Sequence, residues 1–191
     1  MVKEILEQLF DSPVKVKLLK LFLRNPEHSF FLREIAKKTR SDSSACQRQL
    51  KKLESIKLVE VKLKSGKKNY SVNRNFDFYN ELRTLILKSS PASKEKLLNR
   101  LKGLGRIKLA IISGIFINED NSRADLLVVG DGIKNKKLSN FLKDLEAEVG
   151  KEIDYVVFST ADFKYRYDMF DRFIRDVLEK PHEKLINKLK V

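Results

Sequence analysis

The sequence predicts an α+β chain in two domains, residues 1–88 and 93–191. Three observations predict it. Residues 1–88 carry apolar positions at helical spacing and close on two short strands around a Gly. Residues 93–191 alternate short, wholly apolar runs with amphipathic stretches, the pattern of a small mixed sheet covered by helices. Between them, Lys88-Ser89-Ser90-Pro91-Ala92-Ser93 is a polar cluster holding one of the four prolines, a breaker rather than an element.

In the first half, Val2 to Phe10 and Val14 to Arg24 read as helices. Ser12 is placed as an N-cap, with Pro13 at the first helical position and Asn25-Pro26 ending the second helix. Leu32 to Thr39 follows, with Leu32, Ile35 and Ala36 on one face. Asp42 can cap a fourth helix running to about Ser55, whose Cys46, Leu50 and Leu53 turn inward at spacings of four and three. Leu58 to Lys64 and Lys68 to Val72 are strands around Ser65-Gly66-Lys67, a hairpin loop whose Gly tolerates positive φ. Phe76 to Lys88 returns to helix, with Phe78, Leu82, Leu85 and Ile86 expected on its buried side.

In the second half, Ser93 to Leu101 is helical and Lys108 to Ser113 is an apolar strand. Ala124 to Val129 (ADLLVV) is too continuously apolar to be half exposed and should be central in a sheet. Leu138 to Val149 is a helix and Ile153 to Phe158 a third strand. Phe163 to Glu179 holds one or two helices, whose basic and aromatic run reads as core plus solvated face.

Charge narrows the function. Lys and Arg exceed Asp and Glu by 14 over 191 residues. Residues 31–70 alone hold 12 Lys/Arg against 4 Asp/Glu, so over half of the surplus sits in a fifth of the chain. Such clustering implies a polyanionic partner, with nucleic acid ahead of an anionic membrane surface. No apolar run approaches the roughly 20 residues of a membrane span. The N-terminus, MVKEILEQLF, is amphipathic rather than signal-like, and the single Cys suits a reducing interior, so a cytoplasmic location is expected. Cys46 reads as a packed thiol; His28 and His182 stand apart, so no metal cluster and no cofactor are expected.

The outward residues of the fourth helix are Ser43, Ser44, Gln47, Arg48 and Lys51. Gln suits adenine and Arg suits guanine, while Ser and Lys more often contact phosphates. Lys62, Lys64, Lys67 and Lys68 crowd the hairpin, where a basic tip can follow a phosphate strand. LREIAKKT-x-SDSSACQRQLKKLESIKLVE followed by a Lys-rich hairpin resembles a winged helix-turn-helix of the ArsR and MarR type, over roughly residues 8–88. That resemblance implies double-stranded DNA as partner, a homodimer and a role in transcription regulation.

RIKLAIISGIFINEDNSRADLLVVGD resembles the opening of a minimal nucleotidyltransferase domain of the DNA polymerase β-like superfamily, and LEAEVGKEIDYVVFS its later helix and strand, over residues 93–180. The resemblance implies a Gly-Ser turn for nucleotide phosphates, an Asp-x-Asp pair holding Mg²⁺ and a third carboxylate further on. Gly114 matches the Gly, but Ile115 stands where the Ser belongs. Arg123 stands at the first Asp, leaving Asp125, with Asp154 placed like the third carboxylate. An inactive domain is therefore expected, with no catalytic residue and with Gly114, Arg123, Asp125 and Asp154 as a relict nucleotide pocket. Three roles fit it: dimerisation, sensing of a nucleotide or phosphate effector, or membership of a toxin-antitoxin pair. An active nucleotidyltransferase guided by its winged helix is the alternative for the whole chain.

Overall fold

The structure, a computed structural model, describes residues 5–89, 93–119 and 121–191. It is a mixed α+β chain with two sheets. By its internal contacts the chain divides into two compact units, one running up to Ser89 and including Lys143–Glu152, the other comprising the remainder.

The first unit begins with α1 (Ile5–Leu9); the earlier residues of the expected first helix lie outside the described ones, as do Ser90, Pro91 and Ala92 of the expected linker. In α2 (Pro13–Arg24) the Ser12 hydroxyl accepts from the Lys15 amide at 3.2 Å, satisfying an otherwise orphaned donor. After it come β1 (Ser29–Phe31), α3 (Leu32–Thr39) and α4 (Ser43–Ser55). Lys17 Nζ donates to the Thr39 carbonyl at 3.0 Å, placing a cation at the C-terminal end of α3. The chain then turns through Arg40 in the left-handed region, φ 47°. Asp42 occupies the N-cap of α4, but its side chain makes no cap bond.

Strands β2 (Val59–Lys64) and β3 (Lys67–Val72) pair antiparallel, and β1 adds to the other edge of β3. Because Lys64 faces Lys67, the hairpin loop is Ser65-Gly66 alone, one residue shorter than expected. Both loop residues have positive φ, at 50° and 72°, as a two-residue turn matching strand twist requires. Strand β1 was not foreseen, since three residues are too few to show a period.

Leu18, Leu23, Ile35, Cys46 and Leu50 are completely buried in the core of this unit. Each large aliphatic so buried is worth about 1.5–3 kcal/mol relative to exposure. In α5 (Tyr79–Lys88) Ile86 is buried and Leu82 packs partly on the core, but Phe78 and Leu85 are exposed. That corrects the expected apolar face. Phe78 precedes the helix, so it does not follow helical phase, and Leu85 lies outside the stripe centred on Ile86.

The second unit contains α6 (Lys94–Lys102), β4 (Arg106–Ile112), β5 (Leu126–Asp131), α7 (Asn135–Val149), β6 (Tyr155–Phe158), α8 (Thr160–Asp168), α9 (Arg172–Glu179) and β7 (Glu183–Asn187); Lys143–Glu152, the later part of α7 and the turn after it, counts with the first unit. Its sheet has the order β6-β5-β4-β7, with β5 and β6 parallel and the other pairs antiparallel. Leu126 to Val129 are buried, as their continuous apolar run demands of a central strand. Strand β7 was missed: as an edge strand it sets a single buried residue, Ile186, among exposed and half-buried ones and leaves little apolar signal. The expected helical stretch after β6 is two helices, because Asp171 accepts from the amides of Phe173 and Ile174 and starts a new one. Phe163, Ile174 and Val177 then cover Leu109, Ile111, Leu127 and Val129. Among the described residues no helix is long and apolar enough to cross a membrane.

Candidate nucleic-acid interface

At roughly 100° per residue, Ser43, Ser44, Gln47, Arg48 and Lys51 fall within an arc of about 140° on α4, and Cys46, Leu50 and Leu53 within about 60° on its core side. All five outward residues are exposed, and the three inward ones are buried. From Ser43 to Lys51 the face runs about 12 Å along the axis. Among the described residues none of the five side chains is engaged in a hydrogen bond or an ion pair. Cys46 sits behind this face with its Sγ 3.6 Å from Thr39 Oγ1, and burial raises its thiol above the ordinary value. A protonated, packed thiol is a spacer holding α4 on α3, not a reactive group.

The hairpin sorts its lysines by strand parity. Lys62 lies opposite Asn69 and Lys64 opposite Lys67, so Lys62, Lys64 and Lys67 share one face. Lys68 lies opposite Leu63 and belongs to the other face, the one that carries Val61 and Tyr70 nearer the core. All four lysines are exposed. Lys62 has Glu60 at 4.0 Å, a loose contact between exposed side chains that water screens.

The second constellation closes on itself. Gly114 has φ 55° and begins a single 3₁₀ turn after β4. Its amide donates to Ser122 Oγ at 2.8 Å, and the next amide, of Ile115, donates to Asp125 Oδ1 at 2.8 Å. Asp125 Oδ2 accepts from the amide of Asp154 at 3.0 Å, while the Asp125 amide returns to the Asp154 carbonyl at 2.6 Å. The structure thus brings Gly114, Asp125 and Asp154 together. The turn's donors, which would face a phosphate, are taken by the chain's own side chains.

Arg123 is drawn elsewhere: its Nε meets Asp176 Oδ2 on α9 at 2.8 Å, and this guanidinium holds the Asp176 carboxyl below the usual range. The residues do not fit a divalent ion. A cation stands at one expected ligand position, Asp125 is occupied by two amides, and no three His, Cys, Asp or Glu groups converge among the described residues. Sequence reasoning missed both Ser122 and Asp176. Asp176 lies 53 residues from Arg123, beyond any local signal.

A further cleft of about 610 Å³ is lined by Phe158, Asp162, Tyr165, Arg166, Met169 and Asp171. Arg166 stacks over the Phe158 ring at 5.2 Å and bonds Asp171 at 3.1 Å, so its charge is already engaged. Comparison with protein-family models, with curated proteins and with solved structures gives no match for this chain.

Proposed function

We propose that this chain is a sequence-specific, duplex-DNA-binding transcriptional regulator, cytoplasmic and dimeric. Residues 1–88 act as a winged helix-turn-helix, with α4 in the major groove and the β2–β3 hairpin as wing. The observation that carries this reading is the outward face of α4, a Ser-Ser-Gln-Arg-Lys surface with no internal partner among the described residues, followed by a lysine-rich hairpin. Gln47 and Arg48 are the candidates for base edges; Ser43, Ser44, Lys51 and the hairpin lysines are the candidates for phosphates. Two copies would present two α4 helices to a two-fold symmetric operator.

Residues 93–191 serve as a nucleotidyltransferase-like domain that has lost its chemistry and retains a role in dimerisation or effector sensing. The internal use of Asp125 and of the Gly114 turn supports that loss. Selection of bound sites from random duplex DNA, followed by salt titration of the selected site, tests the reading. Recovery of no enriched site and no salt-dependent binding would overturn it. Incubation with labelled nucleoside triphosphates and Mg²⁺ or Mn²⁺ tests the enzyme alternative, which requires transfer that Asp125→Asn abolishes.

A further inference from the structure

Two cations beside the proposed interface are not free. Arg40 stands three residues before Ser43, so its Cα lies at most about 11 Å from the start of the α4 face. Its Nε bonds Asp144 Oδ1 at 2.9 Å. Lys38, on the last turn of α3, bonds Glu152 Oε1 at 3.0 Å. Both carboxylates come from Lys143–Glu152, the later segment that belongs to the same compact unit. By contrast, Arg48, Lys51, Lys64, Lys67 and Lys68 have no acidic partner among the described residues.

We infer that Lys38 and Arg40 are further phosphate-contacting residues of the duplex interface, occupied in the free protein by Glu152 and Asp144 as stand-ins for phosphate. The inference rests on the DNA-binding reading above and adds to it two residues and a competition. A carboxylate offers the same charge-assisted acceptor as a phosphate oxygen. The two pairs are half exposed, with Lys38 and Arg40 side chains 39% and 42% accessible, so water screens them and a denser anion can displace them. A duplex presents a charge every ~1.7 Å of its axis, and each phosphate neutralised also releases counterions. Arg40 further holds a left-handed backbone that ordinarily favours glycine, with its amide bonded to the Ala36 and Lys37 carbonyls. The acidic segment therefore sets a threshold: weak duplex contacts do not displace it, and a well-matched site does.

The test measures fluorescence anisotropy of a labelled duplex from low to high salt with the full chain. Asp144→Asn with Glu152→Gln should bind about three- to tenfold tighter at low salt. Its slope of log affinity against log salt should steepen by up to ~0.9 for each added phosphate contact. Asp77→Asn with Glu81→Gln makes the same charge change on exposed residues of the same unit and should do neither. Adding Lys38→Ala and Arg40→Ala should erase the gain. Glu152→Gln alone removes a carboxylate that is 82% exposed, and it should give part of the gain without threatening the fold. Equal gains in both neutralised pairs, or a gain that survives loss of Lys38 and Arg40, overturn the inference alone. Absence of binding by the wild type and the neutralised variant together overturns the DNA reading itself.

Discussion

The outward face of α4 and the turn at Gly114 both carry hydrogen-bonding groups, yet these are satisfied in opposite ways. On α4, five side chains project with no internal partner among the described residues, while the apolar positions between them do the packing. At Gly114, the two turn amides and the Asp125 carboxylate already hold pieces of the chain: Ser122 holds one amide and Asp125 two. Unsatisfied exposed donors are competent to bind. Donors satisfied internally stabilise the fold and must be broken before they can bind anything.

Four measurements break or sharpen this contrast. The largest expected effect is Gly114→Ala. An added methyl would run into the Asp125 carboxylate at a left-handed backbone, and the expected loss is about 3 kcal/mol in thermal or chemical unfolding. Arg48→Ala with Lys67→Ala should leave stability within about 0.5 kcal/mol, as exposed substitutions do. The same pair should weaken duplex binding by about 2–3 kcal/mol, on the order of 30- to 140-fold at low salt. If it costs stability and leaves binding intact, the two regions have been assigned the wrong way round.

Asp125→Asn replaces a charged acceptor of two amides by a neutral one and should cost about 1–2 kcal/mol of stability with duplex affinity unchanged. The smallest effect concerns Asp131. Its carboxyl accepts from the Thr160 amide at 3.0 Å and hydroxyl at 2.8 Å, and these bonds, then nearby Lys108, hold it below the ordinary Asp value. A depressed folded value means the stabilisation is present above the unfolded value, near 3.9, and is lost as pH falls through the lower folded one. Asp131→Asn should accordingly lower the neutral plateau modestly and flatten the acid limb of the unfolding curve below about pH 4.

Much of the first region was legible because its signals are local. Cys46, Leu50 and Leu53 announce a buried stripe by their own spacing, and that stripe leaves Ser43, Ser44, Gln47, Arg48 and Lys51 outside. Gly66 announces the hairpin, though the two-residue loop emerged only from the pairing of Lys64 with Lys67. Less was legible in the second region. Gly114 and Asp125 stood out as residue types, but nothing nearby in sequence marks Ser122 as the acceptor of the Gly114 amide. Strands β1 and β7 escaped for a related reason: short edge segments are defined by the strand beside them.

The sequence by itself determined which residues of α4 face inward, where the hairpin turns and that β5 runs through the middle of a sheet. Periodicity, caps and turn residues act over a few positions, so the order of residues is enough. Only the tertiary structure decided which carboxylate meets which cation. Arg123 could have faced a ligand but meets Asp176, and Lys38 could have stood free but meets Glu152, 114 residues away. Such pairings depend on where the fold delivers distant side chains, and no local rule encodes that delivery.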